Sequence, residues 1–329
     1  MGCPVGIGPE IILKSYRDSN SFAARAVIFG DIHVLQKCAA AMGLEVKFIP
    51  WLPGERCGKE AIYVCQVPET DNGVDLSRHK LVWGKPDTTT GQAMASYIIR
   101  AVAAVQQGQV AALVTCPITK TALNAAGYKY PGHTEMLADL CHSTEYAMMM
   151  AGKSLRVTLV TIHQALSEVA KHLSVDAVCR LIDLTARSLQ TDFGIASPRI
   201  AVAGFNPHAG EDGLFGDEEQ RVIGPAVTRS SDMWNVKGPF PPDTVFNHAV
   251  SGKFDAVVCM YHDQGLIPFK LLHFADGVNV TIGLPIVRTS VDHGTAYDIA
   301  GKGVASPESL LAAFQMAAEI ANNRLKILL

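Results

Sequence analysis

Short apolar runs alternate along this chain with longer stretches whose apolar residues recur at helical spacing. Arg25–Phe29, Glu45–Ile49 and Val110–Thr115 read as strands, and Asp31–Met42 and Thr90–Gln107 as helices. Further strands are expected at Val157, Ile200 and Asp255, with helical stretches at Ser174–Gln190 and Asp217–Ser231 between them. This alternation predicts an α/β fold with a largely parallel sheet covered by helices. Residues 50–89 break the rhythm. They are rich in proline, glycine and charge, and are expected to form a β-hairpin or a loop insertion. A last amphipathic helix, Ser306 to about Leu325, is expected to pack back on the first domain. At the other end, G-C-P-V-G-I-G-P-E (Gly2–Glu10) reads as a glycine turn feeding a helix, with Pro9 and Glu10 suited to its first turn. Such turns usually follow a strand, so an opening strand ahead of Met1 is expected. The segment fails as a dinucleotide fingerprint, because Gly6-x-Gly8 lacks the third glycine in register.

Composition narrows the class. With 329 residues, 48% apolar and 18% charged, the chain can bury the core of two domains or of one large α/β unit. A net charge of −3 without a basic cluster excludes an electrostatic footprint for nucleic acid. No apolar run approaches the ~20 residues of a membrane helix. The eight cysteines form no C-x-x-C pair and follow no secretory apolar region, which points to reduced thiols in the cytoplasm. Cys116 and Cys259 end strand-like runs near candidate site loops and read as buried small hydrophobes.

The polar residues collect at the ends of the predicted strands. Val157–Ile162 ends on His163, Ile200–Phe205 leads to His208, and Ala256–Tyr261 ends on His262. Open α/β sheets bind ligands beyond the carboxyl ends of their strands. Three imidazoles delivered there are a candidate metal site. Lys120, in T-C-P-I-T-K, is either a solvated helix-start residue or an anion-binding or proton-transfer group. In P-G-H-T-E, Thr134 is a plausible N-cap beside His133, forming either a capped turn or an anion site. Lys270, Asn279 and Arg288 lie on F-K-L-L-H-F, G-V-N-V-T-I-G-L-P and I-V-R-T-S, which look like sheet runs separated by turns. Cations in such apolar surroundings are costly unless they are paired or face a ligand. With His133 and Thr134 they would make a phosphate clamp. Asp243 and Asp263 could orient ligands or accept protons. The run from Asp292 to Gly303, D-H-G-T-A-Y-D-I-A-G-K-G, is too polar and glycine-rich for core and suits a turn at a helix start.

In order along the chain, G-I-G-P-E-I (Gly6–Ile11), Y-P-G-H-T-E (Tyr130–Glu135), N-P-H-A-G-E (Asn206–Glu211), M-Y-H-D-Q-G (Met260–Gly265) and G-L-P-I-V-R-T-S-V-D-H-G-T-A (Gly283–Ala296) occur. Together they resemble the 4-hydroxythreonine-4-phosphate dehydrogenase family of vitamin B6 biosynthesis, almost end to end. The segment H-G-T-A-Y-D-I-A-G-K-G is also similar to the adenine-side loop of isocitrate and isopropylmalate dehydrogenases, whose fold that family shares. The resemblance implies two α/β domains, 1–115 plus 266–329 and 116–265, sharing a largely parallel twisted sheet with the active site in the interdomain cleft. It implies that His163, His208 and His262 hold a divalent ion (Zn²⁺, Co²⁺, Mn²⁺ or Mg²⁺) shared across a homodimer. His133, Thr134, Lys270, Asn279 and Arg288 would then bind a phosphorylated four-carbon acid. The loop Asp292, His293, Gly294 and Thr295 would bind NAD or NADP, and Asp243, Asp263 and Lys120 would be the candidate catalytic groups. Neither a nucleic acid nor a membrane is implied as a partner. The reaction implied is oxidation of 4-phosphooxy-L-threonine at C3, then decarboxylation to 3-amino-2-oxopropyl phosphate. Rival readings are the same chemistry on 4-phospho-D-threonate or 4-phospho-D-erythronate in sugar-acid catabolism, a metal-dependent non-redox lyase or hydrolase, and a non-catalytic binding protein. The sequence departs from the family at Cys3, where aspartate is usual, and at Cys116, where a small residue is usual.

Overall fold

The computed structural model describes residues 1–328, apart from the side chain of Leu328. Its strands in chain order are β1 (Val27–Phe29), β2 (Phe48–Pro50), β3 (Ile62–Cys65), β4 (Leu113–Thr115), β5 (Ala147–Ala151), β6 (Arg156–Leu159), β7 (Arg199–Ala203), β8 (Asn235–Phe240), β9 (Ala256–Cys259), β10 (Val278–Ile282) and β11 (Arg288–Val291). The fold is α/β and mostly parallel, with antiparallel pairing where β5 meets β10 and β6.

The chain divides into two compact units, Met1–Thr144 with Pro285–Ala318, and Glu145–Leu284 with Glu319–Leu329. The borders therefore lie some thirty residues beyond the expected 115/116 and about twenty beyond 265/266. The cause is local pairing. The helix Lys120–Ala125 packs on the helix Thr88–Gln106, which keeps residues 116–144 in the first unit. The helix His262–His273 packs on β6 and β9, and β10 pairs with β5, which keeps residues 266–284 in the second.

In the first unit, β1, β3 and β2 form a parallel sheet with β3 in the middle. Residues 50–89 thus hold a central strand, not a hairpin: Ile62–Cys65 is a four-residue apolar run hidden among prolines, glycines and charges. The opening turn feeds the helix Gly8–Asp18 as expected, with proline in its first turn. Glu10 is fully buried there, its Oε1 accepting the Ala305 N–H at 2.6 Å with Lys14 Nζ at 3.6 Å. The helix Thr88–Gln106 opens on a reciprocal cap, in which Asp87 Oδ1 accepts from Thr90 N–H at 2.9 Å and Thr90 Oγ1 from Asp87 N–H at 2.8 Å. The last helix, Glu308–Leu328, meets this unit through Thr289 Oγ1, which donates to Ala313 O at 2.8 Å, and through Phe314 against Phe22. Its end belongs to the second unit, where Arg324 Nε donates to the buried Asp192 at 2.6 Å.

In the second unit the strand order is β10-β5-β6-β9-β7-β8. Strand residues alternate between two cores, as a pleated sheet requires. Ile200, Val202, Ala256 and Val258 pack against Val178, Ile182 and Leu189 on one face. Ala201, Ala203, Val257 and Cys259 pack against Val245, Leu266 and Phe269 on the other. Burial on both faces is why these strands read as continuous apolar runs. Two local expectations change here. Asp217–Ser231 opens as a wide π turn over Glu219–Ile223 before the α-helix Gly224–Ser230. The run F-K-L-L-H-F is the end of the helix His262–His273, so Lys270 is helical.

Candidate active site

In the second unit, β6, β9, β7 and β8 run parallel, so their carboxyl ends lie at one edge. His163 follows β6, His262 is the first residue of the helix after β9, His208 lies in the loop after β7, and Asp243 follows β8. The His163 and His262 rings stand 6.0 Å apart between centroids. Two imidazoles bound to one tetrahedral ion through bonds of ~2 Å hold their centres roughly 5 Å apart, so this pair is adjacent but stands slightly wider than shared ligation requires. His262 Nδ1 lies 2.7 Å from Asp263 Oδ1, which leaves Nε2 for an ion. Asp263 thus holds the His262 ring. Asp243 is exposed and makes no side-chain hydrogen bond. His208 does not join the pair within one chain. Its ring lies 6.2 Å from that of Phe215, and among the described residues no three His, Cys, Asp or Glu side chains are grouped to hold a metal ion.

The His208 loop has an unusual backbone. Six consecutive residues have positive φ: His208 (54°), Ala209 (55°), Gly210 (83°), Glu211 (42°), Asp212 (54°) and Gly213 (96°). For each non-glycine residue this costs roughly 1–2 kcal/mol. What holds the loop is a residue that sequence reasoning passed over as part of a helix face, Glu219. It is 4% exposed; its Oε1 accepts the N–H groups of Phe205 (2.6 Å) and Asn206 (2.7 Å), and its Oε2 accepts from Asn206 Nδ2 (2.9 Å). Asn206 Nδ2 also donates to Glu218 at 2.7 Å. A Cβ on Gly210 would stand 2.8 Å from Glu219 Oε2, so the glycine admits the carboxylate. Gln264, in Y-H-D-Q-G, is buried and ties the ends of β9 and β7. Its Oε1 accepts from Met260 N–H at 2.7 Å, and its Nε2 donates to Gly204 O at 2.7 Å. Neither residue carries a recognisable sequence signal, since each acts on backbone groups that lie largely in other elements.

His262, Asp263 and Lys270 line one open groove with Leu266, Ile267 and Leu271. Asn279, on β10, has a buried Oδ1 that accepts no hydrogen bond in the structure.

The first unit carries the remaining candidates. Arg288 on β11 is 3% exposed, and its Nη2 donates to Thr115 Oγ1 at 2.9 Å. Burial pulls its pKa down to about 10, against the opposing pull of Glu135, so it stays cationic at neutral pH. His133 opens the helix His133–Leu140 and faces that charge. Burial, then Arg288 and the Met1 ammonium, hold its imidazole neutral, well below the ordinary histidine range. Thr134 is not the N-cap. Gly132 takes that place, and Thr134 is the helix's second residue. Lys120 is exposed, with its Cε 3.7 Å from where a Gly132 Cβ would stand.

The loop Asp292–Thr295 rests on the opening glycine turn. Ile7 N–H donates to Thr295 O at 3.1 Å, and a Gly6 Cβ would stand 3.2 Å from that oxygen. The Tyr297 hydroxyl donates to Cys3 Sγ at 3.5 Å; burial, then Cys3, push this phenol up. Cys3, which burial also pushes up, is a neutral thiol at the position where the family usually has aspartate. Asp292 N–H donates to Ser309 Oγ at 3.1 Å. His293 and Gly294 are exposed, and nothing lies within 4 Å of a Gly294 Cβ, so this backbone is open to a ligand such as a nucleotide. All eight cysteines are free thiols; Cys116 and Cys259 are buried. No helix among the described residues is long and apolar enough to cross a membrane.

Residues 22–317 match the family model described as pyridoxal phosphate biosynthetic protein PdxA. A 4-hydroxythreonine-4-phosphate dehydrogenase of Desulforapulum autotrophicum is 51% identical, over 97% of this chain and 93% of its own. A D-threonate 4-phosphate dehydrogenase of Salmonella typhimurium is 43% identical, over 98% and 97%. The crystal structure of a 4-hydroxythreonine-4-phosphate dehydrogenase from Klebsiella pneumoniae superposes with a TM-score of 0.88 at 42% identity, covering 98% of each chain. The chain therefore belongs to the PdxA family and is, as its sequence and fold both indicate, a dehydrogenase.

Proposed function

We propose that the chain oxidises 4-phosphooxy-L-threonine at C3 with NAD or NADP and releases CO₂, leaving 3-amino-2-oxopropyl phosphate for pyridoxal phosphate synthesis in the cytoplasm. The observation that carries this reading is the buried Arg288 facing the neutral His133 at the start of a helix. A guanidinium takes a phosphate in two parallel hydrogen bonds. A neutral imidazole adds a donor without adding charge, and the helix N–H groups favour an anion. Lys270, as a second cation, and Thr134 complete the substrate ligands. The buried Asn279 Oδ1 can accept from the substrate ammonium. Holding the phosphate supplies the remote binding energy that fixes C3 for reaction.

His163, His208 and His262 are the residues that would hold the divalent ion, and Asp292, His293, Gly294 and Thr295 the nicotinamide cofactor. When bound, the ion supplies Lewis acidity to the substrate's oxygen atoms and the nicotinamide accepts a hydride. Asp263 orients His262, while Asp243 and Lys120 are the candidates to take the hydroxyl proton. Homodimerisation is part of the reading. Leu214, Phe215, Ile267, Leu271 and Phe274 are large exposed apolar side chains on the His208 loop and on or just past the His262 helix, a composition suited to a second copy of the chain. Relatives named 4-hydroxythreonine-4-phosphate dehydrogenase are more similar to the chain than the one named D-threonate 4-phosphate dehydrogenase among those compared.

The test follows reduced nicotinamide with metal-replete enzyme offered 4-phosphooxy-L-threonine, 4-phospho-D-threonate and 4-phospho-D-erythronate in turn. A kcat/KM at least tenfold higher for the L-amino acid is expected. Preference for a D-acid would move the enzyme to sugar-acid catabolism, and turnover without nicotinamide would replace redox chemistry with a lyase.

A further inference from the structure

We infer that Glu219 is a positioning residue of the reaction. From outside the ion site, it sets the left-handed loop that delivers His208. This rests on the three-histidine reading above. Little in N-P-H-A-G-E-D-G itself favours the observed backbone, because only two of its six positive-φ residues are glycine. A loop so disfavoured locally persists only when its surroundings over-determine it.

Glu219 provides that constraint at the point where the chain leaves β7. Its carboxylate takes the two successive N–H groups of Phe205 and Asn206 and the Asn206 side chain, three donors on one group. Asn206 in turn fixes the start of the loop, since its O accepts from Ala209 N–H at 3.1 Å. The same carboxylate occupies the space that Gly204 and Gly210 leave open; a Cβ on them would stand 3.1 Å and 2.8 Å from its oxygens. It therefore touches both ends of the segment carrying His208. The π turn over Glu219–Ile223 contains this residue, and π turns are frequent at functional sites. Gln264 extends the frame, tying the Gly204 end of the loop to the strand end that precedes His262.

Glu219→Gln and Glu219→Ala separate this role from plain structural support. Glutamine keeps the Oε1 acceptor for the two backbone N–H groups but sets an NH₂ against Asn206 Nδ2, while alanine removes every contact. Three quantities are measured on the full-length protein: Co²⁺ affinity by calorimetry, amide exchange of residues 205–216 without metal, and kcat and KM with metal in excess. His208→Ala is the reference. Co²⁺ affinity is expected to fall about 10-fold for glutamine and up to about 100-fold for alanine, the range seen when partners of metal ligands are removed. Loop exchange should quicken in the same order, and excess metal should restore most of kcat to the glutamine variant. If both variants bind Co²⁺ like the wild type while His208→Ala does not, Glu219 is only structural and the inference fails. If His208→Ala itself binds Co²⁺ unchanged, the three-histidine reading fails and takes this inference with it. Should alanine fail to fold, the glutamine variant and Asn206→Ser, which withdraws one donor from the same carboxylate, carry the same decision.

Discussion

In the first unit, Arg288 is buried and His133 lies under its charge within one chain, whereas the histidines of the second unit stand at strand ends and are only partly gathered. Arg288 stays a cation although burial draws its pKa down to about 10, and burial, then the Arg288 charge, hold His133 neutral before any ligand arrives. His163 and His262 face each other, but His208 stands apart on a strained loop beside exposed apolar side chains. On the proposed function, the contrast follows from what each half would bind. A phosphate is served by fixed donors that cost no reorganisation on binding. An ion can itself supply the free energy that gathers its ligands, so these need be only approximately placed beforehand.

The largest expected effect lies on the gathered pair. His262→Ala should lower kcat at least about 1,000-fold and abolish tight Co²⁺ binding, because it removes the ligand that Asp263 orients. Retained activity without metal dependence would show that these histidines are not ligands. Arg288→Lys comes next. Lysine keeps the charge but loses the planar fork and the hydrogen bond to Thr115. KM for the phosphorylated substrate should rise about 10–100-fold, the equivalent of one or two charged hydrogen bonds, with kcat changed only a few-fold. A fall in kcat with unchanged KM would mean that Arg288 acts on the reacting centre instead of the phosphate.

The strands carrying the histidines were legible in the sequence because each is buried on both faces and reads as an unbroken apolar run. Ile62–Cys65 was not, because a four-residue strand between glycine- and proline-rich loops presents no longer period than a loop does. Lys270 was misplaced for a related reason: F-K-L-L-H-F suits either a strand or the last turns of a helix, and only its packing on β6 and β9 decides. Among site residues, the histidines announce themselves by residue type at strand ends. Glu219 and Gln264 do not, since their work includes satisfying backbone groups far along the chain, 13 residues away between Glu219 and Asn206 and 60 between Gln264 and Gly204. The domain borders were displaced because helix packing and strand pairing, not motif position, set them.

The smallest effect tests how completely the first unit is prearranged. His133 has its pKa pulled below the ordinary 6.5, so between its folded-state and unfolded-state values the unfolded chain binds more protons than the folded one. The stability it confers is full above about pH 6.5 and is lost as pH falls below that value. His133→Gln keeps a neutral polar side chain but has no proton to take up. Between pH 7.5 and 5.0 the wild type should lose roughly 2–4 °C more in Tm than the variant, about one kcal/mol for a chain with units of this size. Calorimetry across that range decides it. Parallel curves would mean that His133 takes a proton as readily folded as unfolded. In that case Arg288 and burial do not hold it neutral, and the phosphate end of the site is no more prearranged than the histidines at the strand ends.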